Sequence, residues 1–134
     1  MTQADRLSII SQALWIRNNS AFLSKAEIYK FIAELDSFGV FSVRQLANIV
    51  DNKISSTTLG RYLPKQTRLG GKLNPKSLED ILECFIANDG GSINYRLVRK
   101  ILTLGTSQNM LARLTGIPQS TISMKVNSNG LILS

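Results

Sequence analysis

Apolar residues recur along this chain at three- and four-residue spacings, with no sustained alternation, which is the pattern of helices that bury one face. Over residues 4–18, Leu7, Ile10 and Leu14, flanked by Ile9, Ala13 and Ile16, form one broad stripe and predict a first helix. Ser24 and Glu27 have capping-box spacing and open a second helix that runs to about Leu35. Ser42 and Gln45 repeat that spacing before Leu46–Val50. Asn74 as cap and Pro75 in the first turn, where a missing N–H costs nothing, predict a helix through "LEDILECFIAN". The glycines of "ANDGG", residues 87–91, stop it and mark a boundary between two halves. A further helix spans about 94–104 and ends at Gly105.

The stretch "LARLTGIPQSTISMKVN", residues 111–127, has the grammar of two helices crossing through a tight turn. Ala112 is the small residue at the crossing, Gly116 makes the turn, Pro118 starts the second helix, and Ile117, Ile122 and Val126 are its buried anchors. At about 100° per residue, Ser120, Ser123, Met124 and Asn127 fall on a different face, with Gln119 at its leading edge. A degenerate second copy lies in "QLANIVDNKISSTTLGRYLPK", residues 45–65. Setting Ala47 against Ala112 and Leu59 against Ile122 makes Ile54 match Ile117 and Leu63 match Val126, with a longer turn around "DNK". Ser56, Thr57, Gly60 and Arg61 then occupy the places of Gln119, Ser120, Ser123 and Met124.

"TGIPQSTISMKVN" resembles the helix-turn-helix headpiece of the lac repressor family, through Gly116, Thr121, Ile122, Ser123, Val126 and Asn127. The resemblance implies a DNA-binding module and not that family's ligand response. One position departs from it: Lys125 stands where the family carries an apolar residue.

Charge coincides with the two copies. Residues 1–41 are balanced, whereas 42–76 carry Arg44, Lys53, Arg61, Lys65, Arg68, Lys72 and Lys76 against Asp51 alone. Glu79, Asp80, Glu83 and Asp89 make 77–91 acidic, and 92–134 hold five bases and no acid. Polyanions bind such segments through counterion release. Between the copies, "PKQTRLGGKLNPK" places cations around Gly70 and Gly71, which predicts a basic arm that follows phosphates or enters a minor groove.

The remaining composition restricts chemistry. There is no histidine and one cysteine, Cys84, in an apolar helical setting, so zinc sites and Cys/His or Ser/His mechanisms have no residues to use. The nine carboxylates form no metal-binding loop or acid/base pair. Neither a secretion signal nor a run of about 20 apolar residues is present. The expectation is a cytoplasmic protein that is not an enzyme, needs no cofactor and does not engage a membrane.

Together these readings predict an all-α fold, a compact bundle of about seven short helices with two helix-turn-helix units: a helical region over 1–41, a first unit with its basic loop and following helix over 42–90, and a second over 91–134. The partner is double-stranded DNA, with a homodimer or an RNA polymerase contact as further partners. Thr57, Arg61, Gln119, Ser120, Ser123 and Asn127 are expected to read bases, glutamine and asparagine suiting adenine and arginine suiting guanine. Lys53, Lys65, Arg68, Lys72, Arg113 and Lys125 are expected on phosphates. Trp15, Phe22, Tyr29 and Phe31 are read as core or as a dimer surface. The expected role is a bacterial or phage transcriptional regulator reading two unlike half-sites roughly one helical turn apart. A recognition subunit for DNA packaging or recombination, and a helical protein-interaction adaptor, are the alternatives.

Overall fold

A computed structural model describes residues 1–128 except for the side chains of Asn127 and Ser128, and among the described residues it has eight α-helices and two short 3-10 turns. The helices are α1 (Gln3–Asn19), α2 (Lys25–Asp36), α3 (Val43–Ile49), α4 (Ser56–Tyr62), α5 (Leu78–Asp89), α6 (Tyr95–Thr103), α7 (Gln108–Thr115) and α8 (Gln119–Ser128). The 3-10 turns cover Ser20–Phe22 and Pro75–Ser77. No strand occurs among the described residues, so the fold is all-α. None of the described helices is long and apolar enough to cross a membrane.

Internal contacts divide the chain into two compact units: residues 11–71, and residues from Lys72 onward together with Met1–Ile10. The glycines at 90 and 91 therefore lie inside the second unit, and the chain passes between the units at the Ile10–Ser11 step and again at the Gly71–Lys72 step.

In the first unit Ala13, Ile16, Ile28, Ile32, Leu35, Phe41, Leu46, Ile49 and Leu59 are buried. Burial on this scale, about 25 cal/mol per Å² of apolar surface, is what holds such short helices together. Both anticipated capping boxes form. Ser24 Oγ accepts from Glu27 N while Glu27 Oε1 accepts from Ser24 N, and Ser42 and Gln45 do the same at the start of α3.

The basic arm is anchored. Arg68 donates from Nε to Asp36 Oδ1 at 2.6 Å and from Nη2 to Asp36 Oδ2 at 2.9 Å, and the Asp36 side chain is 1% exposed. Gln66 Nε2 donates to the same carboxylate at 2.9 Å and to the Asp36 carbonyl at 2.8 Å. Leu69 N and Gly70 N donate to the carbonyls of Gly39 and Val40, each at 2.9 Å. A segment whose composition predicts a free arm is thus strapped across the end of α2, because a buried carboxylate requires donors and the arm supplies them.

In the second unit α5 packs against α6 and α7, and α7 against α8. The sequence pattern groups α5 with the first helix pair, whereas its apolar face meets the second. Leu78, Ile81, Leu97, Val98, Ile101, Met110, Leu111, Leu114, Ile117 and Ile122 form this core together with Ile9 and Ile10 from the start of α1. Cys84 is fully buried here, and burial pushes its thiol up to about 12, so it is a core residue held in the neutral form. Asn74 caps the 3-10 turn that precedes α5, its Oδ1 accepting from Lys76 N.

Candidate nucleic-acid interface

The α7–α8 pair is locked at its turn. Ser107 caps α7 by accepting from Met110 N, and Gly116 closes the helix in the left-handed region at φ 81°. Thr115 Oγ1 donates to Leu111 O and accepts from Ile117 N, so this one buried hydroxyl ties the last turn of α7 to the entry of α8. Asn88 on α5 donates to Thr115 O, and Arg6 at the start of α1 donates from Nε to Arg113 O. A cation on those terminal carbonyls favours the C-terminal end of the helix dipole. With Ile117 and Ile122 buried, the rotation of α8 about its axis is set.

That rotation leaves Gln119, Ser120 and Met124 exposed. Gln119 Nε2 donates to Gln108 Oε1 at 3.2 Å, so the first residues of α7 and α8 are paired through their amides on the surface. Ser123 is half-buried and has a partner of its own, and the Asn127 side chain lies outside the described residues. Val126, expected as a full anchor, is half-buried. Lys125 sits with Nζ 4.8 Å from the centroid of the Tyr95 ring on α6. This contact gives a cation a place on the flank of α8 where an apolar residue is expected.

The α3–α4 pair buries equivalent positions. Gln45 and Met110, Leu46 and Leu111, Ile49 and Leu114, Val50 and Thr115, Ile54 and Ile117, and Leu59 and Ile122 are all buried. Ser42 caps α3 as Ser107 caps α7. The outer face of α4 presents Thr57, Thr58, Gly60, Arg61 and Tyr62 to solvent. Tyr62 stacks edge-on against Tyr29 with ring centroids 4.5 Å apart. A Cβ added at Gly60 meets only Val43 Cγ1, at 4.0 Å, so nothing within the fold requires glycine there.

The cations expected on phosphates have different surroundings. Lys65 and Lys72 are exposed, and the Lys72 backbone accepts from Ser107 N at 2.9 Å, which places Lys72 beside the start of α7. Lys53 Nζ donates to Ser20 O at 2.7 Å. Arg113 is half-buried, and burial lowers its pKa from the ordinary guanidinium value. Arg68 is a correction to the expected phosphate set: its guanidinium is held by Asp36, and this ion pair raises its pKa further.

Of the expected aromatic cluster, Trp15 is 46% exposed and Phe22 85% exposed. Trp15 meets Phe31 edge-on at 5.0 Å and, with Ser11, Gln12, Ile16 and Glu34, lines an open cleft of about 470 Å³ in the first unit. No group of three or more acidic, cysteine or histidine side chains able to hold a metal occurs among the described residues. Met124, 67% exposed in the middle of the outer face of α8, is an addition to the site. Its place on the polar face is visible in the helical spacing, but its chemistry does not suggest base reading by hydrogen bonds.

Comparison with family models, with curated proteins and with solved structures returned no match for this chain.

Proposed function

We propose that this chain is a sequence-specific double-stranded DNA-binding protein, acting as a transcriptional regulator, whose reading helices are α8 and α4. The observation that carries the proposal is the exposed Gln119 amide at the entry of α8, paired to Gln108 and followed by Ser120 and Met124 on an outer face that carries no acid. A glutamine amide so placed suits the N6/N7 edge of adenine in the major groove, and an exposed methionine suits the thymine methyl. Support comes also from the second pair, where Arg61 and Thr57 share an exposed face with a glycine the fold does not require. Lys65 and Lys72 are the phosphate contacts best placed for the task, being exposed on segments rich in cations.

Selection of bound duplexes from a random pool tests this reading. One family of related sites is expected to emerge, and Gln119→Ala is expected to relax the preference at one base position while Lys72→Ala weakens all sites alike and lowers the salt slope by about one unit. Ser120→Glu is expected to abolish binding without unfolding the chain, by setting a carboxylate against the DNA. A pool that shows no enrichment, with affinity indifferent to salt, overturns the proposal.

A further inference from the structure

Helix α6 carries cations of its own, Arg96, Arg99 and Lys100, outside the two reading helices. Leu97, Val98 and Ile101 are buried, and Arg96, Arg99 and Lys100 lie opposite them at spacings of three and four residues. Like charges so spaced destabilise a helix, and no acid occurs anywhere in residues 92–134 to relieve them. The two ends of this face are treated differently. Toward α5, Lys100 Nζ reaches Asp80 Oδ2 at 3.1 Å and is neutralised. Toward α8, Tyr95 receives Lys125 on its ring, which adds a cation beside the N-terminal half of α6. Arg96 is exposed and Arg99 half-buried, and neither has an ion pair among the described residues. Two guanidinium groups beside a lysine, on the element that flanks the reading helix, form a surface for a ligand with regularly spaced anionic oxygens.

We propose that Arg96 and Arg99, with Lys125, form a phosphate-backbone contact that grips the strand flanking the groove entered by α8. The inference rests on the DNA-binding reading of α8 and extends it to a helix outside the two helix pairs. Base identity plays no part in it, because the groups involved are cations on a helix flank.

The test measures equilibrium binding of the full chain to a mixed-sequence duplex over a range of salt concentrations. Each phosphate contact contributes about 0.9 to the slope of log K against log salt. The variant Arg96→Ala is expected to lower the slope by about one unit, and Arg96→Ala/Arg99→Ala by nearly two, with a loss of affinity of about tenfold or more and an unchanged order of preference among sites. Arg96→Lys is expected to keep the slope, and Lys100→Ala, whose charge already has a partner, to move it less than Arg96→Ala. Arg96 is on the surface, so its single variant remains informative if the double variant folds poorly. A wild-type slope retained by Arg96→Ala, in a chain that binds duplex DNA, overturns this inference and leaves the reading of α8 standing. A wild-type chain without affinity for the duplex overturns the reading of α8 and this inference with it.

Discussion

In the α7–α8 pair three residues turn the chain, and Gly116 alone takes the left-handed step, at φ 81°. In the α3–α4 pair six residues do so, and Asp51 and Asn52 share the step at φ 56° each. Asparagine and aspartate tolerate that region better than other side chains because their short polar groups bond locally. Two different turns therefore deliver the same buried anchors, from the capping serine of the first helix to the central aliphatic residue of the second, although Ala47 is buried and its counterpart Ala112 half-buried. The outer faces have no such constraint, and they diverge: Gln119, Ser120 and Met124 on α8, but Thr57, Gly60 and Arg61 on α4. The comparison teaches that packing fixes how each second helix is presented and leaves free what it presents.

The largest difference between the pairs is the anchored arm that follows α4, and removing its anchor is expected to have the largest effect. Asp36→Ala leaves Arg68 without its buried partner and is expected to cost about 3 kcal/mol, read by chemical denaturation. Replacing both partners with apolar residues, as in Asp36→Leu/Arg68→Met, is expected to restore much of that loss. A single variant as stable as the wild type refutes the anchoring role.

The two glycines sharpen the comparison through opposite signs. Gly116→Ala forces a side chain into the left-handed region and brings its Cβ to 2.7 Å from Gln3 Oε1, so a loss of about 1–2 kcal/mol is expected. Gly60→Ala lies inside a helix with open space around it and is expected to gain about 0.5–1 kcal/mol. The same Gly60→Ala change is expected to weaken duplex binding by obstructing close backbone approach. Greater stability with undiminished affinity removes α4 from the interface.

The smallest expected effect concerns the capping boxes. Hydrogen bonds from Ser24 hold the Glu27 carboxyl below its ordinary value, so its contribution is present above that value, about pH 4.3, and is lost as the pH falls through the lowered one. Gln45 at the start of α3 performs the same task without titrating. Acid unfolding of Glu27→Gln is expected to lose a small part of its pH dependence, whereas Gln45→Ala leaves the pH profile unchanged and lowers stability at every pH. An acid transition unaltered by Glu27→Gln removes the carboxylate from the account.

How far these features are legible in the residues depends on their range. Helix starts at Ser24, Ser42 and Asn94 depend on bonds three residues away, and the repeat between the helix pairs is visible because burial imposes the same aliphatic spacing on both. The fate of Arg68 is not legible, since its partner is 32 positions earlier and no local pattern links them. Nor is the position of Lys125, whose aromatic neighbour lies on another helix. For Leu7 the stripe of α1 suggests burial, yet it is 43% exposed, because periodicity defines a stripe's direction and packing decides how wide a stripe is covered.

By itself the sequence determined an all-helical chain, the caps that begin its helices, two related helix pairs and the excess of cations over acids, all of which follow from spacing and composition. Only the tertiary structure decided which partners the cations find. Asp36 took Arg68, Asp80 took Lys100 and the Tyr95 ring took Lys125, because a buried or crowded charge is stabilised by whichever partner the fold brings near, at any separation along the chain.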